Sequence, residues 1–242
     1  MQNFNFNDIH HGVADIWVIN SAPLSNKVAH FYNLLSEEER HKANKFKFEK
    51  DRSMSIIARG ALRYLIGNYL TTNPKRIAFT YGDYGKPEID ARSNLNFNVS
   101  HSGELIVIGF VNHIDIGVDV EFIKTDFDVL DIVDHYFSKA EIDALYQLPK
   151  LEQTEAFYRG WTRKEAFIKA KGKGLSLDLH SFSITMDSDN TAELYETQWD
   201  TNEKLQWQIT PFKTLRNYKA AIALKGNATS IRILDIQEYC YD

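Results

Sequence analysis

The segment Gly117-Val118-Asp119-Val120-Glu121 limits what this chain can be more than any other stretch of it. It follows an apolar run at 105–111 and a short turn at Asn112-His113. Val118 and Val120 are β-branched and alternate with the two acids, which predicts a strand. In an extended strand, residues two apart point to the same side. Asp119 and Glu121 therefore share one face and the valines the other. Like charges held that close repel, so something must neutralise them. A hard divalent cation, Mg²⁺ or Mn²⁺, does this with oxygen ligands and keeps positions open for a substrate phosphate. The same alternation also suits an exposed strand edge with two solvated acids, and the pentapeptide alone does not separate the two.

In chain order, 13–19 reads as a first strand. Ser36 opens a helix, and Glu39 three residues on matches a capping box. Arg40, Lys42, Lys45 and Lys47 belong to this segment. A second helix is expected from about Asp51 to Leu70, because Ile57, Ala61, Leu65 and Tyr69 fall four apart with Leu62 and Ile66 beside them. Arg52, Arg59 and Arg63 decorate it. Each base alone is at home on a solvated helix face; several in one segment of an acidic protein make a candidate anion site. Asn73-Pro74 stops that helix and 77–81 reads as a strand. In the turn Tyr84-Gly85-Lys86-Pro87, Gly reaches positive φ and Pro fixes φ, so the turn can present Lys86 and a nearly flat backbone to a ligand. The stretch 95–99 alternates as a strand and ends in Ser100-His101-Ser102-Gly103. A hydrolase is not indicated: there is no G-x-S-x-G elbow, and adjacent Ser and His do not usually form a nucleophile–base pair.

After Glu121 a helix is expected over 128–137. Ser138 with Glu141 forms another capping box, opening a short helix that ends before Pro149. Residues 154–171 are again helical, with Phe157, Trp161, Glu165 and Ile168 on one stripe. A carboxylate inside an apolar stripe needs a partner, and Lys169, one turn on, can pair with it or reach a phosphate. Gly172-Lys173-Gly174 stops the helix without forming a Walker A loop. Strands at 182–185, 192–195, 205–211, 218–224 and 231–234 predict an antiparallel sheet. The two parts of the chain share an order of helices followed by strands. A boundary near residue 112 gives an N-terminal half, 1–112, and a C-terminal half, 113–242. A site between them suits where small-molecule pockets form.

Composition narrows the function classes. At 242 residues, 43% hydrophobic and 25% charged, the chain can bury a real core. Its net charge of −5 gives no global basic field for nucleic acid. The single cysteine, Cys240, excludes an intramolecular disulfide framework and a Cys-rich zinc site. No apolar stretch approaches the ~18 residues needed to span a bilayer. The polar start of the chain has no basic segment followed by an apolar one, so a cytoplasmic protein without a signal peptide is expected.

Five pieces occur in one order at compact spacing: Tyr84-Gly-Lys-Pro87, Phe97-Asn-Val-Ser-His-Ser102, Ile116-Gly-Val-Asp-Val-Glu121, Phe137-Ser138 with Glu141, and Trp161-Thr-Arg-Lys-Glu-Ala-Phe-Ile-Lys169. Together they resemble the 4′-phosphopantetheinyl transferase superfamily, in its long, monomeric, surfactin-synthetase-activating (Sfp) type, over roughly residues 13 to 225. The resemblance implies an α+β fold of two similar halves related by pseudo-two-fold symmetry, with the active site in the cleft between them. It implies transfer of the 4′-phosphopantetheine arm of coenzyme A to a serine of an apo acyl or peptidyl carrier protein, with release of adenosine 3′,5′-bisphosphate. Asp119, Glu121 and Glu165 then resemble the Mg²⁺ ligands, Glu165 also the base for the carrier serine, and Lys169 the pyrophosphate contact. Gly85, Lys86 and Pro87 resemble the adenine-side turn. Ser100 and His101 resemble phosphate contacts, with His101 at the 3′-phosphate.

One departure concerns the first half. Members of that family often carry two lysines one turn apart in the helix before the basic segment; here Glu39 stands at one position and Lys42 at the other, and Arg52 is the candidate for the arginine that follows. Two other classes remain for comparison. A non-catalytic carrier-binding module on the same fold is disfavoured because all three acids and Lys169 are present. A Mg²⁺-dependent nuclease is disfavoured by the acidic charge. The resemblance leaves open whether the carrier serves fatty acid, polyketide or peptide synthesis.

Overall fold

A computed structural model of the chain describes residues 4–10, 12–89, 93–226, 228 and 230–239; Cys240 and the first three residues lie outside these. The apolar run after Gly103 becomes strand β5 (Leu105–Asn112), whose residues are buried on both faces, as an uninterrupted apolar strand must be. It lies between β1 (Val13–Asn20) and β4 (Leu95–Ser102), antiparallel to both. The outer face of this first sheet is covered by α3 (Glu49–Tyr69), which follows α1 (Val28–Leu34) and α2 (Glu37–Ala43). Ile57, Ala61, Leu62, Leu65 and Ile66 of α3 pack there with Trp17, Ile19, Phe97 and Phe110. The Ser36–Glu39 capping box forms as expected. The strand expected at 77–81 is shorter, β2 (Phe79–Tyr81), and pairs with β3 (Pro87–Ile89).

The second sheet has the order β6-β10-β9, with β6 (Ile116–Phe122), β10 (Tyr218–Lys225) and β9 (Trp207–Pro211) antiparallel. Its inner face meets the first sheet: Ala14, Ile16, Leu105, Val107 and Val111 pack with Ile116, Val118, Val120, Ala220, Ile222 and Leu224. Its outer face carries α5 (Lys150–Lys171) through Ala166, Phe167 and Ala170 against Ala221 and Ala223. The order helix, sheet, sheet, helix is an α+β architecture compatible with two like halves. Before α5 stands α4 (Lys139–Gln147), with the Ser138–Glu141 capping box; β7 (Phe182–Ile184) and β8 (Leu194–Thr197) form a separate antiparallel pair. Among the described residues no helix is long and apolar enough to cross a membrane.

Two expectations are corrected. The helix predicted over 128–137 is instead two short 3-10 turns, Val129–Asp131 and Val133–His135. Val129, Val133 and Phe137 are buried at four-residue spacing, which mimics a helix, but the β-branched residues hold helix weakly and the Asp128 side chain accepts Leu130 N–H to make a turn. The final strand, β11 (Ser230–Asp235), does not join an antiparallel set; it runs parallel to β1 at the edge of the first sheet. Arg232 fixes it there with two hydrogen bonds, of 2.6 and 2.8 Å, to the fully buried Asp15, which also accepts Tyr69 Oη–H at 2.6 Å.

Candidate active site

Strand β6 carries Asp119 and Glu121 and uses only one edge for backbone pairing, with β10. The other edge faces β4, and there the joint is made by side chains. Val118 N–H donates to Asn98 Oδ1 at 2.9 Å, Val120 N–H to Ser100 Oγ at 3.4 Å and Phe122 N–H to Ser102 Oγ at 3.1 Å. Three residues two apart on β4 thus satisfy three donors two apart on β6, groups that would otherwise be orphaned.

The same hydroxyls turn towards the acids. Ser100 Oγ donates to Asp119 Oδ1 at 2.7 Å and Ser102 Oγ to Glu121 Oε2 at 2.6 Å. Lys169, from the last turn of α5, donates to Ser100 Oγ at 3.0 Å and Asp119 Oδ1 at 2.6 Å. Asp119 is 3% exposed, and its Oδ2 is buried with no partner. Burial pushes its carboxyl up to about 6, outweighing the opposing pull of Lys169 and Ser100. Glu165 is half-buried and makes no hydrogen bond or ion pair among the described residues. Burial first, and then the charge of Asp119, raise its pKa to about 7.

The helix reaches the strand because Gly117 lets it. A methyl group at 117 would overlap the Ala166 carbonyl oxygen and the Ala170 nitrogen, so the backbone of α5 lies directly on β6. The helix ends at Gly172, whose φ of 65° an L side chain rarely adopts. Asp119, Glu121, Glu165 and Lys169 consequently line one cavity of about 500 Å³ with Ser100 and His101. Trp161 and Tyr136 also border it, their rings edge-to-face at 4.7 Å. His101 is exposed; its pKa is lowered by desolvation of the ring and by the nearby Lys169 charge.

The remaining predicted residues lie elsewhere. Gly85 is in the turn closing β2–β3, with φ of 79°. Pro87 pairs opposite Tyr81. Lys86 is folded back: its ammonium donates to the Ile116 carbonyl at 3.1 Å and the Ala170 carbonyl at 3.5 Å, tying the turn to β6 and the end of α5. Lys42 pairs with Glu38 at 2.7 Å and covers the Tyr81 ring. Arg52 pairs with Glu49. Arg59 and Arg63 both bond Glu39, at 2.5 and 2.6 Å, and Arg63 is 3% exposed rather than decorating a surface. The acid at position 39 thus consumes two of the bases around it.

Sequence reasoning missed Asn98 and Ser102 as parts of the site. Their signal was the two-residue spacing of Asn98, Ser100 and Ser102, the same period as the acids they serve. Among the described residues no three ligating side chains are already drawn together as a metal cage. The donor set nevertheless suits a hard cation: three carboxylates border one cavity, one of their oxygens is buried and unpaired, and two are held above their ordinary pKa, chiefly by burial.

Two family models match the chain, one on each side of residue 112. Residues 115–223 match the 4′-phosphopantetheinyl transferase superfamily model, and residues 19–111 match the model for the N-terminal part of a 4′-phosphopantetheinyl transferase. The chain is 36% identical to the 4′-phosphopantetheinyl transferase Sfp of Bacillus subtilis over 164 residues, 68% of this chain and 72% of that protein. It is 39% identical to a second Bacillus subtilis 4′-phosphopantetheinyl transferase, ffp, over 65% of this chain and 69% of that one. A putative 4′-phosphopantetheinyl transferase of Synechocystis sp. is 33% identical over 78% of this chain and 79% of its own length. Identity at this level, over more than two thirds of each relative, means that the chain belongs to the 4′-phosphopantetheinyl transferase superfamily.

Proposed function

We propose that this enzyme moves the 4′-phosphopantetheine group of coenzyme A onto the serine hydroxyl of an apo acyl or peptidyl carrier protein. The observation that carries the reading is the convergence of Asp119, Glu121, Glu165 and Lys169 on one cavity, with a buried carboxylate oxygen left unpaired. The serine oxygen bonds to the phosphorus on the pantetheine side, the bond to the adenosine-side phosphate breaks, and adenosine 3′,5′-bisphosphate leaves. Asp119, Glu121 and Glu165 are the residues that would hold Mg²⁺ or Mn²⁺. When bound, the cation neutralises charge on the pyrophosphate.

The chain's own residues divide the remaining work. Glu165 accepts the serine proton: it makes no hydrogen bond or ion pair among the described residues, so one oxygen is open to the serine while the other would hold the cation. Lys169, steadied by Ser100 and Asp119, offers its ammonium to the pyrophosphate. Ser100 and Ser102 orient the two strand carboxylates. His101, at the exposed rim, takes the 3′-phosphate, and the Gly85-Lys86-Pro87 turn lies on the adenine side through its backbone. Lys42 and Arg52, both on the surface, close their ion pairs with Glu38 and Glu49 when the ligand is away and can open them to it. All the acids come from one chain, which supports a monomer; we take it to be cytoplasmic.

The test is incubation with coenzyme A, Mg²⁺ and a panel of apo carrier proteins, read by intact mass. A mass gain of one phosphopantetheine on at least one carrier is expected. No gain on any carrier, with coenzyme A still bound, would mean a binding module instead.

A further inference from the structure

Among the described residues, three buried side-chain polar atoms have no partner: Asp119 Oδ2, Arg163 Nε and Thr214 Oγ1. The first belongs to the carboxylate cleft. The other two belong to residues that line one separate cavity, of about 230 Å³, between α5 and the 211–218 connection from β9 to β10. A buried donor without an acceptor is costly, and two bordering one space point to a missing group with acceptor oxygens.

Charge says what kind of group. Arg159 and Lys219 on the wall are already balanced by Asp189 and Glu155: Lys219 lies 2.8 and 2.9 Å from them. Arg163, by contrast, is 1% exposed and makes no ion pair among the described residues, Asp189 and Asp187 acting on it only from a distance. Its two terminal nitrogens each donate to a carbonyl, of Thr185 and of Ser188, and its Nε is the nitrogen without a partner. Lys213 and Arg216, exposed on the connecting loop, also line the cavity and make no ion pair among the described residues. Among the described residues that line the space, five are basic and one, Asp189, is acidic.

Shape narrows the group further. The end of the Arg163 guanidinium already holds two carbonyls, and its Nε–H lies on the side edge without a partner. What remains are single donors from different elements: an Nε–H from the helix, a hydroxyl from the loop, and ammonium and guanidinium groups above them. Divergent single donors suit a tetrahedral oxyanion. We propose that this cavity is a second oxyanion site, separate from the carboxylate cleft, that takes inorganic phosphate or sulfate or the phosphate of a monoester.

Glu165 and Arg163 lie two residues apart on α5, and Lys219 sits opposite Glu121 in the β6–β10 ladder. The second site is therefore a neighbour of the first across the same helix and sheet. An occupied site would fix the β9–β10 loop against the helix that carries Glu165 and Lys169.

The test is calorimetric titration of the full chain with inorganic phosphate at constant ionic strength, repeated with adenosine 3′,5′-bisphosphate and with the protein presaturated with coenzyme A. Arg163 also anchors two carbonyls, so the variants chosen are Thr214→Val and the surface pair Lys213→Ala/Arg216→Ala, which should fold. Phosphate should bind with coenzyme A present. Each variant should weaken phosphate roughly tenfold while coenzyme A affinity stays within about twofold. Weakening of adenosine 3′,5′-bisphosphate by the same variants would identify a monoester as a second source of the group. Unchanged phosphate affinity in both variants, or complete displacement of phosphate by coenzyme A, would overturn the assignment. So would a phosphate-soaked crystal with only water between Arg163 and Thr214.

Discussion

Lys169 and Asp119 are joined by a 2.6 Å hydrogen bond that uses one carboxylate oxygen and leaves the other buried and unpaired. The lysine therefore holds the acid without saturating it. That half-satisfied state separates a site awaiting a ligand from a finished ion pair, such as the fully buried Glu141–Lys164 pair in the same half, whose carboxylate also accepts the Ser138 and Ile184 amides.

The first prediction concerns Asp119 and the hydroxyl behind it. Groups that orient a metal ligand typically contribute about 10–100-fold in metal affinity. Ser100→Ala should weaken divalent-cation binding by that range, and Asp119→Asn should lower transfer at least about 100-fold. Cation titration followed by calorimetry checks the first, and transfer rates read by intact mass check the second. Full transfer in excess chelator would rule out the metal assignment altogether.

Glu165→Gln keeps the shape of the side chain and one oxygen ligand but removes its basicity. Transfer should fall about 10²–10⁴-fold, while coenzyme A affinity in Mg²⁺ changes only a few-fold. Single-turnover rates measured by intact mass decide this. A rate within about tenfold of the parent would leave Glu165 as a ligand only and move the base elsewhere in the cleft.

Gly117→Ala tests the contact between helix and strand. The added methyl meets backbone atoms of α5, which cannot move aside as a side chain can. The cost should be at least about 3 kcal/mol, the upper end for overpacked cores, or a chain that does not fold. Urea denaturation followed by far-UV circular dichroism measures it. A loss under about 1 kcal/mol would show that α5 can stand off from β6.

The fourth prediction is a pH dependence of stability. Glu203 accepts hydrogen bonds from Lys171 at 2.6 Å, Trp207 at 2.8 Å and Trp199 at 3.1 Å. Burial opposes ionisation, but these donors prevail and bring its pKa down to about 2 from 4.5. A folded pKa below the unfolded one adds stability that is fully present above pH 4.5 and is lost as pH falls towards 2. This contribution amounts to roughly 3 kcal/mol at neutral pH. Glu203→Gln should therefore be less stable than the parent at pH 6, and the gap should close on acidification. A gap of constant size from pH 6 to pH 3 would place the effect in packing.

Much of this was legible in the residues. Asp119 and Glu121 share a face because alternation is a local property of a strand, and the stripe Phe157, Trp161, Glu165 already marked a carboxylate short of solvent. The Ser36 and Ser138 capping boxes are local patterns too, and both form. What failed needed information that no short window holds. β11 finds its partner through Arg232 and Asp15, 217 residues apart, and nothing near 231–234 encodes that direction. Arg59 and Arg63 looked like surface bases because the acid that binds them sits in another helix. Lys86 was placed in the right turn, but its ammonium is drawn to the Ile116 carbonyl of β6 and to the Ala170 carbonyl at the end of α5, where the helix dipole is negative. The stretch 128–137 satisfied a helical spacing with two turns of another kind.

The joint between β4 and β6 behaves like a key in a lock with a two-residue pitch. Sliding one strand by a single residue would bring Phe97, Val99 and His101 to the amides of Val118, Val120 and Phe122, and side chains without a matching acceptor would block the new position. A slip of two would set Ser100 beside Glu121 in one direction and beside Gly117, which has no carboxylate, in the other. The spacing of the acids is therefore not held by the acids, which repel each other. It is copied from the spacing of hydroxyls on a neighbouring strand, so the chemistry of the cleft is written twice, once in each sheet.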